Sequence, residues 1–229
     1  SLRSDIKASC YATMVVPLSW FDGILSEFSE ERITQQRVFE LLKWRQELDT
    51  QNDSDLCAEC PKSFVKFLER SFQFEFNKKQ TGELYTVEYL NVYHKVGLCC
   101  SEQIRNTMYG NHNSISTTPE FRCFRQHMFA RYENMSHLCK QGKSIVLILD
   151  CAHVGFQKGF WFVSNKEFLG IFSECAYYYP GLIKRVIIAN SPPRVRWVLK
   201  MLESVISLPK DRIEITERSS AECIQSNEI

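Results

Sequence analysis

Between the polar turn Lys140-Gln-Gly-Lys143 and Asp150 lies an unbroken apolar run, Ile145-Val-Leu-Ile-Leu149. A strand with one face in water alternates apolar and polar residues. A run with no alternation needs cover on both faces, as in the interior of a parallel sheet. Parallel neighbours cannot be joined by a tight hairpin, so such a strand requires crossover segments, usually helices, on either side of it.

The flanking sequence supplies them. Leu84-Tyr-Thr-Val-Glu-Tyr-Leu90 has the β-branched and aromatic content of a strand. Thr117-Thr-Pro-Glu120 reads as a helix start, because a threonine hydroxyl caps free N–H groups and proline in the first turn loses no intrahelical bond. Phe121, Phe124, Met128, Tyr132, Met135 and Cys139 then mark one helical face. Phe168, Phe172, Cys175, Ala176 and Tyr179 step by three or four and predict a second helix, stopped at Pro180-Gly181. A strand at 184–189 follows, then a strongly amphipathic helix from Val195 to Ile206 and a strand at 212–216. The polar stretch 217–229 is expected to fray.

Upstream, the periodicity around Val38, Phe39, Leu41 and Leu42 predicts an amphipathic helix ending in Lys43-Trp-Arg45. A polar linker at 49–55 and a helical run at 63–72 come next. The expected fold is α/β: a largely parallel sheet with crossover helices flooring a hydrophobic pocket, preceded by a small N-terminal helical unit. The expected division is 1–62 for the helical region and 63–229 for the pocket domain.

Charge and cysteine usage narrow the function. Twenty-eight basic against 27 acidic residues give +1, which argues against nucleic acid as a partner. No apolar run approaches the ~20 residues of a membrane-spanning helix, and no secretory signal is read near Cys10–Leu18. The ten cysteines sit mostly in hydrophobic runs and read as reduced thiols of a cytoplasmic protein, with the sequons at Asn52 and Asn134 discounted.

Three motifs invite chemistry and each has a plainer reading. Gly142-Lys-Ser144 lacks the earlier glycine of a phosphate loop and precedes a strand where such a loop follows one. Cys57-x-x-Cys60 with Cys99-Cys100 has four thiols, but adjacent cysteines rarely both reach one tetrahedral ion, so no metal is expected. Asp150-Cys151-Ala-His153 places a thiol and an imidazole at a strand end, where a buried thiol and a turn histidine are the simpler assignment. The expectation is no catalytic residue and no cofactor.

The order Tyr178-Tyr-Pro180, strand, Asn190-Ser-Pro192, amphipathic helix and a final Arg212-Ile strand resembles the CRAL-TRIO lipid-binding family from about Gly82 to Ile215. The strand ending Leu149-Asp150 and the Lys43-Trp-Arg45 helix end fit the same pattern. The resemblance implies an open-sided pocket for one lipid or similar hydrophobic molecule, transient contact with membranes, and transfer without covalent chemistry. A membrane-recruitment or interaction module without transfer is the alternative. It implies a pocket lined by Tyr85, Val87, Ile145, Leu147, Leu149, Phe172, Ile187 and Ala189. It also implies a gate helix presenting Trp197, Val198, Met201, Leu202 and Val205. Relatives that bind phosphatidylinositol carry glutamate where this chain has Gly181 and lysine where it has Arg212. Hydroxyl side chains used for a choline headgroup are replaced by Ile145 and Leu147. The arginine-lysine stretch of the N-terminal unit is not recognisable at 26–29, and the closing segment of many relatives is missing. A less polar ligand than phosphatidylinositol is therefore expected.

Overall fold

The computed structural model describes residues 40–41, 43–44, 60–72, 77–78, 83–106, 115–138, 145–179, 182–193 and 212–225. In chain order these form α1 (Lys62–Ser71), β1 (Asn77–Lys78), β2 (Leu84–Tyr89) and α2 (Leu90–Asn106). A 3-10 turn (Ile115–Thr117), α3 (Pro119–Leu138), β3 (Ile145–Asp150), α4 (Phe156–Ser164) and α5 (Lys166–Tyr178) follow. The described chain ends with β4 (Ile183–Ala189), β5 (Ile213–Ile215) and α6 (Ser220–Gln225).

The sheet order is β1-β2-β3-β4-β5, with β2 to β5 parallel and only the short β1 antiparallel. Every position of β3 is buried, as its unbroken apolar sequence requires. The parallel strands are added in one direction, and right-handed crossovers put α2 and α3, between β2 and β3, on the same side as α4 and α5, between β3 and β4. The core agrees. Leu84, Ile145, Leu147, Leu149, Val186 and Ile188 share one large cluster with side chains of α2 to α5, while Tyr85, Val146, Ile148, Ile187 and Ala189 form a small cluster with Cys223 of α6.

The helices form for local reasons. Thr118 Oγ1 accepts from the Phe121 N–H at 3.2 Å and Pro119 opens α3, as the capping argument predicts. Phe121, Phe124, Met128, Tyr132 and Met135 are all buried, and Cys139 lies outside the described residues. The aromatic helix expected around 168–179 is the second of two. Phe156–Ser164 is helical as well, and Asn165 separates them by accepting from the Phe168 N–H at 3.2 Å.

Helix α2 is a further addition. It begins at Leu90, directly after β2, and buries Leu90, Tyr93, Val96 and Cys100. The expectation of a frayed 217–229 is corrected: Ser220–Gln225 is helical. Glu222 accepts from the Ser219 N–H at 2.7 Å while Ser219 Oγ accepts from the Glu222 N–H at 3.2 Å, a reciprocal cap that starts a short helix in polar sequence. At the other end, Leu41 is buried in the main core and Trp44 stacks on Tyr178 with ring centroids 3.9 Å apart.

Helices α1 and α3 meet at Phe72 and His127, whose rings lie 5.7 Å apart. His127 Nε2 is buried with no partner among the described residues. Burial, and then the charge of Arg131, hold this imidazole below its ordinary pKa of 6.5, against a smaller opposing pull from Glu69. In the unfolded chain the group takes up its proton near 6.5, so the unfolded state binds more protons just below that value. Stability is therefore expected to fall as pH drops below about 6.5. Chemical denaturation of wild type and His127→Phe across pH 5 to 8 checks this; the variant should show a shallower slope, the remainder including His94, which burial also holds below its ordinary value.

Candidate functional site

The floor of the candidate site is the helix-side face of β3, β4 and β5. Period-two alternation puts Ile145, Leu147 and Leu149 of β3 on this face, and the parallel register sets Leu147 beside Val186 and Leu149 beside Ile188. Ile188 in turn pairs with Ile215, and Val186 with Ile213. The β3 and β4 members are buried, whereas Ile213 and Ile215 are only partly covered. Phe172 of α5 belongs to the same core, its ring 5.2 Å from Tyr93 and 5.8 Å from Phe162.

The residues expected to line one pocket divide between the two sides of the sheet. Ile145, Leu147, Leu149 and Phe172 are together on the helix side. Tyr85, Val87, Ile187 and Ala189 are on the reverse, against Cys223 and Ile224 of α6. One ligand on one face cannot touch both groups. Val186 and Ile188 are the β4 residues that share a face with Leu147 and Leu149. The apolar run of β4 shows that both its faces are buried, but only the register of β4 on β3 tells which parity matches, and register is not written in either strand alone. The gate residues Trp197, Val198, Met201, Leu202 and Val205, and Gly181, lie outside the described residues. Arg212 stands half-buried just before β5.

A polar group interrupts the apolar layer at its β2 edge. Glu88, on the same side as Thr86, pairs with Arg131 of α3 at 3.2 Å, and both side chains are almost wholly enclosed. Arg131 also donates to Thr86 Oγ1 at 2.7 Å, Tyr93 donates to the second Glu88 oxygen, and Phe72 lies under the guanidinium at 5.5 Å. Burial, with the Glu88 charge beside it, pushes the Tyr93 phenol well above its usual value, so it remains a hydrogen-bond donor. The sequence reading missed this cluster; a glutamate at an inward position of a strand was its one visible sign.

A second cluster fastens the C-terminal ends of the strands. Asp150 Oδ1 accepts from the Ala152 N–H at 2.7 Å and from Asn190 Nδ2 at 2.9 Å, and Oδ2 accepts from the Ser220 hydroxyl. Asn190 occupies the left-handed region, φ 51°, and its N–H donates to the Arg218 carbonyl at 2.8 Å. The strand-end aspartate is thus a structural clamp joining β3, the end of β4 and α6.

The cysteines next to these features are enclosed thiols. Burial pushes the Cys151 thiol up to about 12, with the Asp150 charge adding to it, while His153 is exposed in the following turn with φ 62°. The nucleophilic form of a cysteine is its thiolate, and this site disfavours it. Cys100 is likewise pushed up to about 12 by burial. Cys57 lies outside the described residues. Among the described residues no group of three or more His, Cys, Asp or Glu is arranged to hold a metal ion, and no helix is long and apolar enough to cross a membrane. A separate groove of about 380 Å³ opens between α3 and α5, bridged by the Arg125–Glu174 pair at 2.8 Å, away from the strand floor.

A parallel sheet whose described crossover helices share one side, with an isoleucine- and leucine-rich face beneath them, defines an α/β domain with an extended apolar layer between sheet and helices. The chain belongs to the CRAL/TRIO domain family, whose profile matches residues 101–226, and proteins of this family bind lipids or other small hydrophobic molecules. Among solved structures, the crystal structure of Sfh5 has a similar fold, with a TM-score of 0.51 and 16% sequence identity over 82% of this chain. The chain spans 59% of the length of that protein. None of the curated proteins matches the sequence significantly.

Proposed function

We propose that the chain holds one apolar small molecule or lipid on the helix-side face of β3, β4 and β5 and carries it between membranes without altering it. The observation that carries this reading is the continuous aliphatic floor Leu147, Leu149, Val186, Ile188, Ile213 and Ile215, whose β5 edge is left partly uncovered by the described helices. Burying an acyl chain contributes about 0.8 kcal/mol per methylene, enough for such a surface to hold a lipid outside a bilayer. Residues 63–229 form the ligand-holding domain in this reading. Residues 1–62 form a helical region that Leu41 and Trp44 fasten to it, and the protein works in the cytoplasm with transient membrane contact.

Arg212 offers a cation before β5, and Gly181 brings no carboxylate to accompany it. The expected ligand is therefore less polar than phosphatidylinositol. Native mass spectrometry of the purified full chain, followed by solvent extraction, is expected to find about one apolar molecule per chain. Saturable uptake of phosphatidylinositol from vesicles would remove the headgroup part of the proposal. One observation favours a module without cargo: over the β2 edge of the sheet, Phe72, Tyr93, Phe124, Phe162 and Phe172 pack with neighbouring ring centroids 5.2 to 5.8 Å apart. Protein free of any extractable molecule would support that second reading.

A further inference from the structure

We propose that α1 is a pH-sensitive cover: protonation of His127 lifts the C-terminal end of α1 off α3 and opens the aromatic side of the core without unfolding the sheet. The device is independent of any cargo.

One end of α1 is tied and the other rests on a single ring. Pro61 precedes the helix without a side-chain cap, and the ten residues of α1 bury only Phe64 and Leu68. A helix this short holds its shape by packing. Its N-terminal end is fastened to α3 by the Cys60 thiol, which donates to the Pro119 carbonyl at 3.1 Å. Its C-terminal end rests on Phe72, whose ring lies 5.4 Å from Tyr93, 5.8 Å from Phe124 and 5.7 Å from His127. Lifting Phe72 also uncovers Arg131, whose guanidinium is 5.5 Å from that ring.

His127 is where this contact is weakest. Its Nε2 is enclosed and has no partner among the described residues, so a proton taken up there adds an enclosed charge. Burial opposes that charge first, and Arg131, one turn further along α3, opposes it next; Glu69 of α1 pulls the other way with less effect. Behind Arg131 stand Glu88 of β2, 3.2 Å from the guanidinium, and Tyr93 of α2, which donates to Glu88. The Glu88 charge is thus already held by Arg131. Once Phe72 moves away, water reaches the imidazole and it accepts its proton near the ordinary value of about 6.5. A histidine held below that value when covered favours the covered form above about pH 6.5 and the open form as pH falls below it.

The test is hydrogen exchange of the full chain from pH 5 to 8, expressed as protection factors and repeated at low urea. In wild type, protection across residues 62–72 should lie about tenfold or more below that of 145–150 and respond little to urea, because one helix opens and not the whole fold. It should fall by up to about tenfold per pH unit below about pH 6.5. His127→Phe should remove most of that fall. His94→Phe, which alters the α2 contact with Trp161 of α4, should keep it. Glu69→Gln should deepen it, because the covered imidazolium loses an attraction. Protection of 62–72 that is flat with pH in wild type, an equal fall in His127→Phe, or protection and urea dependence equal to those of 145–150 would overturn the proposal. If His127→Phe does not fold, Glu69→Gln decides, and a fall no deeper than in wild type rejects the device.

Discussion

Arg131→Met is expected to cost about 3–5 kcal/mol of unfolding free energy, because it leaves Glu88 enclosed with no counter-charge. The pair is buried on both sides, lies 3.2 Å apart, and sits in a layer otherwise made of aromatic and aliphatic side chains. Its desolvation is a penalty already borne by the fold, offset by the mutual attraction and by the bonds to Thr86 and Tyr93. Removing one partner discards the attraction and keeps the penalty. Adding Glu88→Leu to Arg131→Met should recover most of the loss, since an apolar pair of similar size needs no such compensation. Urea denaturation of the two single variants and the double variant measures the coupling directly. Additive losses would mean that the two charges act independently.

The second large effect is expected at Asp150. Its two oxygens accept from Ala152, Asn190 and Ser220, and each hydrogen bond to a charged group contributes about 1.5–3 kcal/mol. Asp150→Ala should lower stability by about 3 kcal/mol or more and release α6 from the sheet. The second consequence distinguishes it from ordinary core damage: hydrogen exchange should rise in peptides covering residues 212–225 while those covering 145–149 change little. Ser220→Ala should show the same pattern in weaker form.

Much of the fold was legible because it rests on periodicity. The apolar run at 145–149 could only be an interior strand, and Thr118 with Pro119 could only start a helix. Legibility failed where two periods competed. Leu90, Val92 and Tyr93 have the composition of a strand, yet Leu90, Tyr93, Val96 and Cys100 are one buried helical face, and tertiary burial overrode propensity. At α6 the signal was the Ser219–Glu222 cap, too short a pattern to outweigh the polar composition around it.

The candidate site was legible in chemistry and not in geometry. That the floor is aliphatic follows from β3 and β4 as written. Which of Val186, Ile187, Ile188 and Ala189 face the helices depends on a register irregularity between Ile145 and Val146, where β3 and β4 come into step. No property of either strand alone announces that shift. Glu88 and Arg131 are 43 positions apart in the sequence, and their pairing exists only once α3 crosses β2.

The order of the strands in space repeats their order along the chain. Each strand therefore meets its partner already laid down when it emerges from synthesis, and the sheet can grow from one edge with no strand inserted between two others. The bond from Ser220 to Asp150 spans 70 residues and is available only after β5 has joined. A chain assembled in this sequence completes its aliphatic floor from one side and is latched at the strand ends last, so β4 stays an open edge until the final strand arrives.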